Sequence, residues 1–177
     1  MSAPATLDHA GIAQRIPHSG RMCLLDSLLS WSAQGLHCSA TGHAAPDHPL
    51  RTAAGLLAPC AIEYAAQAMA LHGALLGGLT GGLTGGLTGG LADGLVDVPG
   101  AAPPTPGYLA SVRAVHFKVA SLHGLPGPLA VRVQRLAGDA QQILYQFSLH
   151  DGAGQRVADG RATVVLNTPL GRPPARL

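Results

Sequence analysis

Apolar and polar positions are most regular towards the end of the chain. There Ile143, Tyr145, Phe147 and Leu149 are set against Leu144, Gln146, Ser148 and His150. A period of two predicts a strand with one strongly apolar face. Turn signals on either side, HGLPGP, AGDAQ and DGAGQ, divide this half into four predicted strands: Tyr108–Val119, Leu129–Leu136, Gln142–His150 and Arg156–Leu166. Gly160 inside the last one predicts a bulge or a close backbone approach. Earlier in the chain, Met22 to Trp31 and Leu36 to Thr41 read as two strands joined across Ala33, Gln34 and Gly35. Leu7 to Gln14 suits a short helix, with Thr6 or Asp8 as its cap.

Between these halves the period changes. Leu56 to Leu76, LLAPCAIEYAAQAMALHGALL, is the strongest helical stretch, with Ile62, Ala65, Ala66, Met69, Ala70 and Gly73 at helical spacing. Pro59 fits a first helical turn, where its missing N–H leaves no bond unmade. The other positions are also largely apolar, and a helix apolar nearly all round belongs inside a protein. Glu63 is its one carboxylate, and a buried carboxylate needs a partner or a proton. Before the helix, GHAAPDHPLRTAAG from Gly42 to Gly55 reads as a loop. So does IPHSGRM, where Pro17 pushes Ile16 towards an extended backbone and holds His18 on a constrained turn.

The predicted order is a short helix, two strands, one buried helix, a long loop and four strands. Short links between the later strands favour antiparallel pairing. One long apolar helix against such a sheet is an α+β layer architecture. Residues 1–177 read as one domain. Within it, Gly77 to Pro106, with its GGLT units, reads as a flexible insertion, and residues 167–177 as a disordered tail. The four-residue repeat is far shorter than the roughly 20–50 residues of a solenoid unit.

Composition narrows the function classes. The chain has 177 residues, 47% hydrophobic but only 3% aromatic, so Leu, Val, Ala and Ile must build the core. Charged residues make up 11% and the net charge is +2, with no basic run or aromatic platform for nucleic acid. No apolar run is long enough to span a bilayer, and the first residues lack the pattern of a secretory signal. Three cysteines, Cys23, Cys38 and Cys60, at unrelated spacings suggest reduced thiols and a cytoplasmic protein rather than a disulfide framework. His37, Cys38, His43 and His48 match no compact metal-binding spacing.

Two motifs then carry a resemblance. IPHSGRMCLLD, Ile16 to Asp26, resembles the PH-x-x-x-M/F-x-L-L-D opening of the 3-hydroxyacyl-[acyl carrier protein] dehydratases. IEYAAQAMA, Ile62 to Ala70, resembles their E-A-x-A-Q central helix. The sequence is most similar to the diverged branch associated with aryl polyene biosynthesis. Its shared features are His48–Arg51, Ile62–Gln67 with His72, Pro106–Arg113 and Gly160–Leu166. The resemblance implies the hotdog fold, a curved antiparallel sheet wrapped around one long helix. It also implies dimers in which His18 of one chain meets Glu63 of the other. An acyl carrier protein would present the substrate as a phosphopantetheine thioester, and no metal or other cofactor is implied.

Dehydration of a 3-hydroxyacyl thioester needs a base for the C2 proton, an acid for the leaving hydroxyl and a donor to the thioester carbonyl. A neutral His18 imidazole suits the base. A buried Glu63 would favour holding a proton for the hydroxide. Gln67, one turn on, is placed to bond Glu63 or line the pocket. The helix start would supply the carbonyl donor from Ala58 or Cys60, since Pro59 between them has no N–H. Ala58 stands where the better-known dehydratases have glycine. Cys60, near the helix start, is a place where a thiol pKa can fall. Two alternatives remain beside the dehydratase reading: a hotdog acyl thioesterase, and a non-catalytic subunit of a heterodimer with a related dehydratase.

Overall fold

In the computed structural model, residues 6–81, 107–139 and 141–166 are described. The elements are β1 (Leu7–Asp8), α1 (His9–Ala13), β2 (Ser27–Ser32), β3 (Gly35–Ala40), α2 (Ala61–Gly81), β4 (Gly107–Phe117), β5 (Leu129–Gly138), β6 (Gln142–His150) and β7 (Arg156–Leu166). Seven strands form one sheet in the order β1-β2-β3-β5-β6-β7-β4, and every pairing is antiparallel. The α+β architecture expected from the sequence is the one found.

The clean alternation of β6 has the expected consequence. Ile143, Tyr145, Phe147 and Leu149 are all buried against the helix side. Beside them Gly160 of β7 sits opposite Phe147. A Cβ at this glycine would lie 2.9 Å from the Phe147 ring and 3.1 Å from Val115, so the close approach predicted there is real.

Several boundaries moved, three of them near the site. Leu7 and Asp8 pair with β2 as a two-residue strand, and the short helix begins only at His9. Asp8 is its cap: the carboxylate accepts the Gly11 N–H at 2.8 Å. The run from Met22 is strand only from Ser27, because Gly20–Met22 form a 3₁₀ turn and residues 23–26 connect it to β2. The long helix starts later than Leu56. Leu56 and Ala58 bond an antiparallel neighbour, Ala120 to Leu122, through Leu122 N–H to Leu56 O and Ala58 N–H to Ala120 O. Ala58–Cys60 then make a 3₁₀ turn containing Pro59, and α2 follows.

At its far end α2 continues through Gly77–Gly81, five residues assigned from sequence to the flexible insertion. The rest of that insertion, and the tail, lie outside the described residues.

The helix also turns a different face inward from the one its apolar spacing suggests. Ala61, Tyr64, Ala65, Gln67, Ala68, Met69, Leu71, His72 and Leu75 are buried, whereas Ile62, Ala66, Ala70 and Gly73 are half-buried. Two of the buried side chains are polar, and each is fully bonded. The His72 Nε2–H donates to the Ser32 carbonyl at 3.0 Å, so Nδ1 is the acceptor for the Tyr145 hydroxyl at 2.9 Å. This pair ties α2 to β2 and β6.

Burial pushes the His72 imidazole below its ordinary range, the Ser32 bond opposing this only in part. The fold therefore favours the neutral ring, while the unfolded chain takes up a proton near the usual histidine value of about 6.5. Stability is full above that value and is lost as pH falls through it towards the lower folded value. Urea midpoints are expected to fall between about pH 7.5 and about pH 5, and His72→Gln should flatten that slope. An unchanged slope in the variant would assign the acid loss to other histidines.

Candidate active site

His18 is delivered by the turn that follows Ile16. Ile16 is buried and donates its N–H to Ile12, which fixes the start of the loop. Gly20, at φ +56, bends the chain back, and Met22 and Cys23 N–H close the turn on Ser19 and Gly20. Glu63 is delivered by the first turn of α2. Their side chains meet: His18 Nε2 lies 3.1 Å from Glu63 Oε1, with 28% and 31% of the respective side chains exposed. Nδ1 of His18 is buried and has no hydrogen-bond partner among the described residues.

Gln67 holds the two pieces together. Its Oε1 accepts the Leu24 N–H at 2.8 Å, and its Nε2 donates to the Met22 carbonyl at 2.7 Å and to Glu63 Oε1 at 2.9 Å. Leu24 N can only donate and Met22 O can only accept, so the amide has one permitted orientation. Both Nε2 hydrogens and the carbonyl are used, within a fully buried side chain. Glu63 Oε1 meets both Gln67 Nε2 and His18 Nε2.

These distances place His18, Glu63 and Gln67 in one cluster, as the sequence led us to expect, but with two corrections. First, His18 and Glu63 already meet within a single chain. The reason is Gln67, which clamps the Met22–Leu24 segment against the helix that carries Glu63. Second, Glu63 is not a buried carboxylate, since nearly a third of its side chain is exposed.

Ala58 and Cys60 behave differently from expectation. The Ala58 N–H is bonded to Ala120 O and the Cys60 N–H to Leu57 O, each at 3.0 Å. Neither is free to reach a thioester carbonyl in this conformation. The extended pairing of residues 56–58 with 120–122 uses the first donor, and the 3₁₀ turn at Pro59 uses the second. The Cys60 thiol is not activated either: burial pushes it up, nearby Glu63 adds to this, and the backbone bonds offset it only in part.

Sequence reasoning had also singled out the HPLR segment without assigning it a role. His48 is buried and packs against Tyr64, the residue after Glu63. The Leu50 N–H donates to His48 Nδ1, so the ring proton is on Nε2 and donates to the Tyr64 hydroxyl at 3.0 Å. Burial, then His43 and nearby arginines, hold the His48 imidazole below its ordinary range and keep it neutral. Arg21 in the His18 turn reaches Asp47, just before that segment, at 3.1 Å, an exposed pair of small energetic weight. No group of three or more His, Cys, Asp or Glu among the described residues is arranged to hold a metal.

Residues 10–83 match the ApeP-like family, described as ApeP dehydratase. The matched segment runs from α1 through α2 and contains His18, Glu63 and Gln67. The part of the chain that builds the site is thus similar to the ApeP-like dehydratases, the diverged branch that the sequence resembles. Among solved structures the chain is similar to the dehydratase heterocomplex ApeI:P from Xenorhabdus doucetiae, with a TM-score of 0.67 at 20% identity, over 95% of this chain and 93% of that one. It is also similar to a variant of the hypothetical protein SAV0944 from Staphylococcus aureus (TM-score 0.52, 10% identity, 78% of this chain and 90% of that one). A third match is the PaaI protein of E. coli (0.49, 12%, 78% and 80%). At such identities the first two likenesses establish the fold, which is the hotdog. No curated protein sequence matches the chain significantly.

Gln67→Leu removes the acceptor for Leu24 and the donor for Met22 while keeping the volume roughly constant. Leaving both backbone groups buried and unmet should cost about 2–4 kcal/mol of unfolding free energy. Urea denaturation measures it, and a loss under half a kcal/mol would mean that water replaces the amide.

Proposed function

We propose that the protein takes part in the dehydration of 3-hydroxyacyl groups, carried as a thioester on acyl carrier protein, to the trans-2-enoyl thioester. The acyl chain would be of the fatty-acid-like or aryl polyene type, and the setting cytoplasmic. The observation that carries this reading is the 3.1 Å contact of His18 with Glu63 inside the ApeP-like segment. Elimination takes a proton from C2 and returns one to oxygen on the neighbouring C3, so base and acid must stand side by side. Two groups one hydrogen bond apart meet that requirement.

In this reading His18 removes the C2 proton through Nε2, the nitrogen that faces Glu63, and Glu63 protonates the departing hydroxide. Gln67 fixes the carboxyl orientation instead of touching the acyl chain. Among the described residues no helix is long and apolar enough to cross a membrane.

A second reading has its own support. Both backbone donors expected at the start of the helix are bonded within the chain, so the thioester carbonyl would lack stabilisation from Ala58 or Cys60. That favours a subunit that acts inside a heterodimer with a related dehydratase, which would supply the missing donor. The similar structure from Xenorhabdus doucetiae is itself named a heterocomplex.

The test is turnover of a 3-hydroxyacyl-carrier substrate by wild type, His18→Ala and Glu63→Gln, each alone and with a related dehydratase. Each substitution is expected to lower the rate at least about 100-fold if the pair does the chemistry. Equal turnover by all three would remove the dyad. Turnover that appears only with the partner, and survives both substitutions, would assign this chain the non-catalytic role.

A further inference from the structure

The face of the sheet turned away from α2 gathers three nitrogen-bearing side chains. On β3, His37 stands between buried Leu36 and Cys38; on β5, Arg132 stands between buried Val131 and Val133; on β6, His150 follows buried Leu149. Strand alternation therefore turns all three away from the core. These strands are neighbours in the order β3-β5-β6. His37 lies directly opposite Arg132, whose partner on β6 is Ser148, so His150 is one diagonal step away. Diagonal neighbours stand about 7–8 Å apart, within reach of a long side chain. Two imidazoles thus flank one guanidinium.

This cluster differs from an ordinary solvated face. His37 Nε2 and His150 Nδ1 are buried, and neither has a hydrogen-bond partner among the described residues. Nitrogens of this kind are costly to leave unmet. Arg132 makes no ion pair among the described residues. The nearby carboxylates are committed elsewhere: Asp159 to His116 at 3.0 Å and Arg156 at 3.7 Å, and Asp151 to the N–H groups of Ala153 and Gln155. Burial, then Arg132 and His150, hold the His37 imidazole below its ordinary range. Burial, then Arg132 and Arg156, do the same to His150, and Asp151 and Asp159 oppose them only in part.

We propose that His37, Arg132 and His150 form a binding site for a phosphate-type oxyanion, free or as a phosphomonoester, on the outer face of the sheet. A tetrahedral oxyanion accepts from several directions, which suits donors converging from three strands. A metal ion is the poorer occupant. Arg132 repels it, and no set of three His, Cys, Asp or Glu among the described residues is arranged to hold one. The anion supplies the charge that Arg132 lacks and favours a second proton on each ring, so that every ring nitrogen can donate. Binding is thus linked to proton uptake and tightens as pH falls from about 7.5 to about 6. Since α2 packs on the other face, the site stands apart from His18 and Glu63, and either assignment can fail alone.

Sulfate, whose charge does not change over that range, is the first probe. Ring-proton NMR spectra of the histidines are followed during its titration, with chloride at matched ionic strength as the control. His37→Gln and His150→Gln assign the two resonances. Both are expected to shift saturably in sulfate, at least about threefold more tightly at about pH 6 than at about pH 7.5. Buried, bonded His48 and His72 should stay in place and report that the fold is intact. Arg132→Gln should weaken the response at least about tenfold. Titrations with inorganic phosphate and with glycerol phosphate then separate the two sources. A response to both assigns a phosphorylated organic ligand, and a response to inorganic phosphate alone assigns the free ion. Similar shifts across all nine histidines, shifts matched by chloride, or an Arg132→Gln variant that titrates like wild type would each overturn the proposal. If that variant does not fold, the wild-type comparison of sulfate with chloride decides.

Discussion

The arrangement around His18 and Glu63 depends on one buried amide. Gln67 sits on α2 with both donors and its carbonyl bonded: one bond received from Leu24, one given to Met22 and one given to Glu63. A side-chain amide is costly to bury unmet, so it specifies its surroundings sharply. Only one separation between the Met22–Leu24 segment and the helix satisfies all three. The His18 turn therefore has little freedom to move away from Glu63 without breaking bonds that water cannot easily replace. What looks like a catalytic pair is, physically, the open end of a structural clamp.

The same device recurs further along the helix. In a chain with only 3% aromatics, two of the three tyrosines are buried, and each is bonded to a histidine. Tyr64 meets His48 and Tyr145 meets His72. Each pair joins α2 to a different part of the molecule, the first to the loop before the helix and the second to the sheet. Burial raises both phenols, Tyr145 to about 12, and lowers both imidazoles, so the pairs remain neutral and the bonds persist through the physiological range. Polar contacts thus set the helix's rotation, while small apolar side chains fill the space. That explains why the inward face contains Gln67 and His72 and leaves Ile62 and Ala66 half-buried.

This rotation also marks the limit of what the sequence could reveal. Strands announced themselves by a period of two, and β6 buries the residues its alternation picked out. His18 and Glu63 were legible because a Pro-His turn and a lone carboxylate on an apolar helix are each unusual, and the motif order joined them. The helix's inward face was not legible. With nearly every position small or apolar, the period carries little directional information, and the deciding residues were polar ones whose partners lie about 40 to 75 positions away. For the same reason the closure of His18 on Glu63 within one chain depends on a contact between residues 24 and 67 that no local pattern displays. The Leu56–Ala58 segment misled because an apolar run before a proline reads as helix. Its extended form is imposed by pairing with residues 120–122, far along the chain.

That last pairing bears most directly on the chemistry. A carboxyl and an imidazole can move protons, but an enolate forming at a thioester also needs a donor aimed at the carbonyl oxygen. Where a glycine would let the backbone turn towards the acyl group, Ala58 is instead part of an extended pair and gives its N–H to Ala120. Pro59 has none to give, and Cys60 spends its own on Leu57. On the proposed reading, the chain presents the proton-transfer half of an elimination site more completely than the charge-stabilising half. Such a division favours a site finished by another chain, because the missing part is a backbone donor, which no side-chain rearrangement within this fold supplies without first breaking the pairing that seats the helix.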